Sequence, residues 1–263
     1  MKETPQRLDA LMVERGLAES RSRAQGLILA GAVRVGDEVV TKAGSRVAAD
    51  KPLSVQRGDR FVSRAGEKLD AALDEFGVAV KGRSCLDAGA STGGFTDVLL
   101  GRGAERVVSV DVGYGQLAWS LREDPRVTVL ERTNVRHLRG EDLPFDPDLL
   151  VADLSFISLA VALKTLLSTT PALREAVVLV KPQFEAGPDL VGRGGLVRDP
   201  GVRAGAILDT VSLFADLGFG AVGVARAAVT GRKSGNQEYP LHLLRDAPAT
   251  LDESLVRGVV AGA

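Results

Sequence analysis

A lysine stands at the end of an apolar run, where a buried strand would stop. The run Ala176–Val180 predicts a strand buried on both faces of a parallel sheet, and Lys181 and Pro182 follow it. Pro182 explains why the strand ends, because proline has no N–H for the sheet. Ligands of open parallel sheets bind beyond the carboxyl ends of the strands. The amine of Lys181 is therefore a candidate base or cation for a bound reactant.

A glycine-rich segment and an acid predict a nucleoside cofactor at the same edge. The segment Leu86–Thr96 reads LDAGASTGGFT, and it follows a predicted strand and opens a predicted helix. Glycines let a backbone approach a ligand closely, and a helix N-terminus favours polar or anionic groups. Asp111 follows the next strand, where an acid can accept both ribose hydroxyls of an adenosine. Dinucleotides and S-adenosylmethionine are both bound in this way, so these residues leave both open.

Three further polar residues favour the methyl donor. Asp87 lies within the glycine segment, Asn134 follows the third predicted strand and Asp153 ends the fourth. Together with Asp111 they resemble the class I S-adenosylmethionine-dependent methyltransferases, which favours S-adenosylmethionine over NAD. The resemblance implies no metal site, and it implies a cofactor site made of Asp87, Gly89, Ala90, Ser91, Gly93, Gly94, Phe95, Asp111, Val112, Asn134 and Asp153.

The acceptor atom can be narrowed by elimination. Methylation of base amino groups in this superfamily typically uses an Asn/Asp-Pro-Pro-aromatic run after the fourth strand, and here Asp153–Phe156 reads DLSF. Methylation of a cytosine carbon needs a nucleophilic cysteine, and the sole cysteine, Cys85, lies inside the first predicted strand of the sheet. A hydroxyl acceptor remains, and its activation needs a base or an oxyanion partner.

Lys181 can supply that partner together with three other charged residues. Lys68 lies on a helix predicted before the first strand of the sheet. Glu238 stands at the start of the last predicted strand, directly before Tyr239–Arg245. The Lys-Asp-Lys-Glu tetrad of the FtsJ-type ribose 2′-O-methyltransferases is matched, in type and order, by Lys68, Asp153, Lys181 and Glu238. The resemblance implies that these four residues are catalytic. Lys181 would be either the base or the cation that stabilises a developing alkoxide.

The elements that must position these residues predict a doubly wound α/β sheet. Strands and helices alternate from residue 67 to residue 263, and the resemblance implies a Rossmann-like methyltransferase domain with seven mostly parallel strands. The predicted strands are Ser84–Gly89, Val107–Val112, Val127–Glu131, Leu149–Asp153, Val177–Lys181 and Tyr239–Arg245, and the predicted helices between them include Phe95–Arg102 and Gln116–Arg122.

A different, small α+β domain is predicted for residues 1–56. The patterns of Arg7–Leu17 and Ser20–Gly31 predict two short helices, followed by a hairpin at Val33–Val40 and a strand near Leu53–Val55. This order resembles the RNA-binding fold of ribosomal protein S-four. With an arginine-rich linker at 57–66, the resemblance implies that RNA is bound by Arg7, Arg21, Ser22, Arg23, Gln25, Arg34, Arg60 and Arg64.

Charge and further motifs agree with an RNA substrate. Residues 1–66 carry 12 Lys and Arg against 8 Asp and Glu, whereas residues 67–263 carry 21 against 26, so a basic part precedes an acidic body. The runs SRAGEKL, DVGYGQLAW, LERTNVR, VKPQFE and SGNQEY extend the resemblance to the TlyA family, bacterial rRNA (cytidine-2′-O)-methyltransferases historically called haemolysins. The family implies methylation of cytidine 2′-hydroxyls in ribosomal RNA, on the small subunit alone or on both subunits, with no obligate protein partner.

Other classes of protein are disfavoured. The single cysteine excludes an internal disulfide, and no signal segment opens the chain, so we expect a cytoplasmic protein. No charge-free stretch exceeds ten residues, whereas a membrane-spanning helix needs about 20 apolar residues. A membrane-lytic protein, which liposome leakage would reveal, is therefore disfavoured. A non-catalytic RNA-binding assembly factor is disfavoured by the intact tetrad, and it would transfer no methyl group to ribosomal RNA.

Overall fold

The computed structural model of the chain describes residues 5–29, 31–55, 60–229 and 235–262. The chain divides into two compact units, Met1–Arg60 and Phe61–Ala263. Residues 57–59 of the segment predicted as a linker lie outside the described residues.

The N-terminal unit packs two helices against short strands. Its elements are β1 (Gln6–Arg7), α1 (Leu8–Glu14), α2 (Arg21–Leu29), β2 (Val33–Val35), β3 (Glu38–Val39), β4 (Arg46–Val47) and β5 (Leu53–Val55). β2 pairs antiparallel with β3 and with β5, and β1 pairs with β4. The two predicted helices, the hairpin and the strand that follows it are confirmed. β1 and β4 were not predicted, because two residues are too few to show an alternating pattern.

The apolar stripes of both helices form the core of this unit. This core contains the fully buried apolar side chains Leu8, Met12, Ala24, Ile28 and Val33. Ser20 begins α2 as predicted, because its hydroxyl accepts a hydrogen bond from the backbone N–H of Arg23 at 3.2 Å.

The C-terminal unit is a seven-stranded sheet with helices on both faces. Its strands are β6 (Ser84–Ala88), β7 (Arg106–Val110), β8 (Val127–Leu130), β9 (Leu149–Ala152), β10 (Glu175–Val180), β11 (Phe219–Val224) and β12 (Tyr239–Arg245). Its helices are α3 (Ala65–Phe76), α4 (Gly94–Gly101), α5 (Trp119–Arg122), α6 (Leu159–Thr169), α7 (Pro182–Glu185), α8 (Pro200–Ala215) and α9 (Glu253–Ala261). The strand order is β11-β12-β10-β9-β6-β7-β8. β6 to β10 are parallel and β12 is antiparallel to both of its neighbours, which confirms the predicted architecture.

Side chains that alternate along the strands form an apolar layer on each face of the sheet. Leu86 and Leu150 pack on one face with α6, α8 and α9, and Cys85 and Leu149 pack on the other with α3, α4 and α5. Because helices cover both faces, polar side chains can reach a ligand mainly at the ends of the strands.

Within the sheet of the C-terminal unit, β11 was not predicted, and helix α5 begins at Trp119 rather than at Gln116. Within the four described ranges, no helix is both long and apolar enough to cross a membrane.

Candidate active site

Four charged residues lie at the edge where β9 and β10 end and β12 begins. The last residue of β10 is paired with the first residue of β12, so Lys181 and Glu238 lie side by side in the continuation of these strands. Asp153 directly follows β9, which is the neighbour of β10 on its other side. α3, which carries Lys68, packs against β10 and β12. The structure thus brings the predicted tetrad together.

The four side chains form two ion pairs. Lys181 Nζ lies 2.6 Å from Asp153 Oδ1, and Lys68 Nζ lies 2.5 Å from Glu238 Oε2. Both lysines are 9% exposed and Glu238 is 4% exposed. Water screens such charges poorly, so each amine interacts strongly with its carboxylate and with any oxygen placed beside it. The site can therefore accept a proton or stabilise a negative oxygen, and the geometry alone is compatible with either role.

A serine that the sequence did not single out also contacts this cluster. Lys181 Nζ donates a hydrogen bond to Ser155 Oγ at 2.8 Å. Ser155 is the third residue of the DLSF run, and its type alone gave no signal. A serine three positions after a strand end is common in loops, and only the course of the backbone shows that its hydroxyl reaches the lysine.

The glycine segment lies against the end of β9. Gly89 has a φ of 87°, and a Cβ atom there would lie 2.6 Å from the backbone carbonyl oxygen of Asp153. Gly93 has a φ of 97°, and a Cβ there would lie 2.3 Å from Leu121. α4 begins at the next residue, Gly94. The glycines are therefore needed first for packing within the protein, which brings the loop and Asp153 together.

Asp111 is oriented by two backbone groups. Its Oδ2 accepts the N–H of Ser91 at 2.8 Å, and its Oδ1 accepts the N–H of Gly113 at 2.7 Å. Each carboxylate oxygen has room for a second hydrogen bond, so both remain able to accept from a pair of ribose hydroxyls. Val112, which follows, is 68% exposed and can cover an adenine ring.

A cavity of about 800 Å³ connects these groups. Its wall includes Gly89, Ser91, Asp111, Val112, Asn134, Asp153, Ser155 and Phe156. A smaller cavity of about 110 Å³ shares Gly89, Ser91 and Asp153 with it and is also lined by Ala90, Gly94 and Phe95. Of the predicted cofactor residues, Asp87 and Gly93 line neither cavity. Small-molecule sites are typically about 300–1,000 Å³, so the larger cavity fits a nucleoside cofactor.

Comparison with known proteins identifies the family. The FtsJ-like methyltransferase family model matches residues 61–245, which is more than half of the chain. The chain belongs to this family. An S4 domain model matches residues 6–51, within the N-terminal unit of this FtsJ-like protein.

Individual relatives match most of this FtsJ-like chain. The 16S/23S rRNA (cytidine-2′-O)-methyltransferase TlyA of Mycobacterium tuberculosis is 52% identical over 239 residues, which cover 90% of this chain and 89% of the relative. Hemolysin A of Brachyspira hyodysenteriae is 40% identical, with 90% and 99% covered. The solved structure of a candidate hemolysin from Streptococcus thermophilus matches with a TM-score of 0.73 and 36% identity, covering 98% of this chain and 95% of that one.

Asp87 of this FtsJ-like domain lies beneath the glycine segment rather than on a cavity wall. It is fully buried, and its Oδ2 accepts the hydroxyl of Thr96 at 2.7 Å, which lies 2.8 Å from the hydroxyl of Ser109. Its Oδ1 is buried, and it finds no hydrogen-bond partner among the residues that the structure describes. Burial raises the pKa of Asp87 to about 7, and the hydrogen bonds from Thr96 only partly oppose this rise.

This raised pKa predicts a pH dependence of stability. An aspartate in the unfolded chain has a pKa of about 3.9, whereas that of folded Asp87 is about 7. Between these values the folded state holds a proton that the unfolded state lacks, so the free energy of unfolding falls as the pH rises from 4 to 7. In Asp87→Asn, the difference in the free energy of unfolding between pH 5 and pH 8, measured by urea unfolding, should be smaller by a few kcal/mol. The exposed Asp146→Asn is the control, and an equal pH dependence in all three proteins would contradict the burial.

The N-terminal unit contains a buried acid beneath its arginines. Asp9 is 0% exposed, and it accepts hydrogen bonds from Arg7 at 2.9 Å, Gln25 at 2.8 Å and Arg21 at 3.2 Å. The hydrogen bond from Arg7 is the largest cause that holds the pKa of Asp9 well below its usual range. The sequence did not single out Asp9. This acid explains why an arginine is tolerated at the N-terminal end of α2, where a helix otherwise disfavours cations.

The other predicted RNA-binding residues lie at or near the protein surface. Ser22 and Arg23 are exposed in the first turn of α2, and Arg34 donates a hydrogen bond to the backbone carbonyl of Asp37 at 2.8 Å. The exposed residues Arg60 and Arg64 lie on either side of the boundary between the units. Within the described ranges, no acidic side chain forms an ion pair with Arg23, so its charge remains available to a phosphate.

Proposed function

We propose that this protein transfers a methyl group from S-adenosylmethionine to the ribose 2′-hydroxyl of cytidine in ribosomal RNA, on the small subunit alone or on both subunits. The observation that carries the proposal is the Lys181–Asp153 ion pair at 2.6 Å, whose carboxylate lies on the wall of the larger cavity. The substrate is supported by the relative from Mycobacterium tuberculosis, whose name specifies cytidine in 16S and 23S rRNA. Ribosomal RNA or ribosomal subunits in the cytoplasm are the partners that this activity requires.

The residues around the cavity fit S-adenosylmethionine. Asp111 keeps an acceptor site on each oxygen for the ribose, and Asn134 lies on the wall that would face the adenine. The smaller cavity, formed where Gly89 approaches Asp153, can take the amino-acid end. When bound, S-adenosylmethionine supplies an electrophilic methyl group.

Lys181 would act on the acceptor hydroxyl. As a base it takes the proton of the 2′-hydroxyl, and as a cation it stabilises the developing alkoxide. Asp153 holds the amine in place, and the Lys68–Glu238 pair fixes the start of β12 beside it. In either role the amine must lie close to the oxygen that attacks, which favours a ribose presented at the mouth of the cavity.

The residues disfavour base methylation. Cys85 is fully buried inside β6, and burial raises the pKa of its thiol to about 12, so it is a poor nucleophile. The loop after β9 reads DLSF and lacks the Pro-Pro-aromatic run expected for amino-group methylation. Both facts support a hydroxyl acceptor.

RNA binding by the N-terminal unit predicts a change in salt dependence. Arg23→Ala combined with Arg34→Ala should flatten the slope of log affinity against log salt by about 1.4–1.8, since each lost phosphate contact contributes roughly 0.7–0.9. Arg21 is left intact because its removal would take a partner from the buried Asp9. Filter binding to ribosomal RNA measures the slope. Arg257→Ala on α9 is the control, and an unchanged slope in the double variant would exclude these arginines from the RNA-binding surface.

Transfer of a tritium-labelled methyl group to separated ribosomal subunits tests the proposed function. Nucleoside analysis of the product should give 2′-O-methylcytidine, and the labelled subunit settles the choice between one and two substrates. Label in a methylated base would refute the hydroxyl acceptor. No label with either subunit, although the protein binds both RNA and S-adenosylmethionine, would favour a non-catalytic assembly factor.

A further inference from the structure

The amine of Lys181 has a polar neighbour besides Asp153. Lys181 Nζ donates a hydrogen bond to Ser155 Oγ at 2.8 Å, while its ion pair with Asp153 Oδ1 measures 2.6 Å. Ser155 is exposed and lines the same cavity of about 800 Å³ as Asp153. The hydroxyl therefore lies between a nearly buried amine and the space that is open to ligands.

The backbone around Ser155 is held by α7. The next residue, Phe156, has a φ of 67°, which is uncommon for a bulky side chain. The ring of Phe156 packs on Phe184 of α7 with centroids 5.0 Å apart, and Glu185 of α7 accepts the first backbone N–H of α6 at 2.9 Å. Such a backbone conformation persists only where its surroundings over-determine it. Since α7 begins directly after Lys181, these contacts fix Ser155 relative to the lysine.

An ion pair and a hydrogen bond constrain an amine differently. Coulomb attraction to Asp153 holds Nζ close but depends on distance alone. The hydrogen bond to Ser155 is directional, so it fixes one N–H of Lys181 and stops the amine from rotating freely. Both partners of Nζ, Asp153 and Ser155, line the larger cavity, so the hydrogen bond and the ion pair together fix how the amine is oriented beside it.

We infer that Ser155 is a positioning residue for methyl transfer, whose hydroxyl orients the Lys181 amine towards the acceptor oxygen. This inference rests on the proposed function and names a residue that controls its rate. If Lys181 is a base, the hydrogen bond aims its lone pair, and if Lys181 is a cation, the hydrogen bond aims an N–H. Orientation of a reacting group can change a rate by about tenfold to a hundredfold without changing substrate affinity.

Three variants test the inference. Ser155→Ala removes the hydroxyl, and Ser155→Thr keeps it. Ser168→Ala removes an exposed hydroxyl that donates a hydrogen bond to the backbone carbonyl of Thr165 near the far end of α6. In the full-length protein, Ser155→Ala should lower kcat about tenfold or more, with unchanged KM for RNA and unchanged affinity for S-adenosylmethionine by calorimetry. Ser155→Thr should restore most of kcat, and Ser168→Ala should match the wild type.

A second measurement does not depend on methyl transfer. Acetylation of Lys181 by acetic anhydride at one fixed pH without RNA, followed by mass spectrometry, reports how readily the amine leaves its hydrogen-bonded position. Lys181 should be acetylated faster in Ser155→Ala than in the wild type, whereas Ser168→Ala should not change the labelling rate. If the wild type methylates no RNA, the proposed function fails, but the labelling rates still decide whether Ser155 holds the amine. Unchanged kcat in Ser155→Ala, or an unchanged labelling rate of Lys181, would overturn the inference.

Discussion

Lys181→Ala should lower the rate of methyl transfer by about 10²–10⁴, the usual contribution of general acid–base catalysis. The amine is 9% exposed and lies between Asp153 and Ser155. Its removal leaves Asp111 and the cavity wall around it intact, so S-adenosylmethionine should bind as before. Rapid-quench measurement of methyl transfer at saturating RNA and cofactor isolates the chemical step.

Arginine at the same position separates the two roles of Lys181. A guanidinium keeps the positive charge but does not deprotonate under ordinary conditions. Substantial activity in Lys181→Arg would support the cation, and loss of activity with both ligands still bound would be consistent with the base. Because the larger side chain could also block the site, the pH–rate profile of the wild type must agree. A base gives a rate that rises with pH to a plateau, whereas a required cation gives a rate that falls as it deprotonates.

The control for this pair is Lys164→Ala, which removes an exposed lysine from α6. It should leave the rate, RNA affinity and cofactor affinity unchanged. Wild-type activity in Lys181→Ala would remove the lysine from the chemistry, and the ion pair with Asp153 would then be purely structural.

The sequence predicted the tetrad because sheet topology constrains where strand ends lie. Lys181 and Asp153 both follow apolar runs, and parallel strands put their carboxyl ends at one edge. Glu238 could be placed because the last strand runs antiparallel and starts where its neighbours end. The positions of these residues could be predicted because they follow from the order and direction of the strands, and sequence motifs indicate both. Their roles as catalytic, cofactor-binding and RNA-binding residues remain predictions.

Contacts made by loops and side chains were not predictable in the same way. Ser155 reaches Lys181 from a loop in which the next residue, Phe156, has a φ of 67°. Asp9 is buried beneath arginines that, in the sequence, appear merely as a basic cluster. In both cases a common residue type acquires a specific partner from the course of the backbone, and no spacing rule identifies that partner.

The sequence did not predict β11 because two glycines weaken the strand pattern of this segment. Gly220 and Gly223 interrupt the apolar pattern, and glycine within a strand lowers its propensity. In the structure, a Cβ at Gly220 would lie 2.1 Å from the carbonyl oxygen of Ala247, and one at Gly223 would lie 2.9 Å from Phe76. Close approach by other segments requires these glycines, so the same residues that weaken the strand pattern allow the strand to pack.

Gly89→Ala should abolish productive cofactor binding, because the new methyl group would meet backbone rather than a movable side chain. The Cβ would lie 2.6 Å from the carbonyl oxygen of Asp153, and the φ of 87° is strained for any residue with a Cβ. The loop must therefore move away from β9, which displaces Ser91 from Asp111 and shifts Asp153 beneath Lys181. A displacement of about 1 Å at such a site can reduce its function about a hundredfold.

Gly77→Ala is the matched control for Gly89→Ala, because it has the same kind of backbone strain without the collision. Gly77 ends α3 with a φ of 67°, and within the described part of the chain no atom beyond its immediate chain neighbours and its own helix backbone lies within 4 Å of the position that an added methyl group would take. It should cost about 1–2 kcal/mol of stability from the left-handed backbone and leave cofactor affinity unchanged. Gly89→Ala should cost a further 1–3 kcal/mol or so from overpacking and weaken S-adenosylmethionine binding about a hundredfold or more by calorimetry. Equal affinity of the two variants for S-adenosylmethionine would mean that the glycine segment does not lie against Asp153. The two cavities would then not share the wall described above.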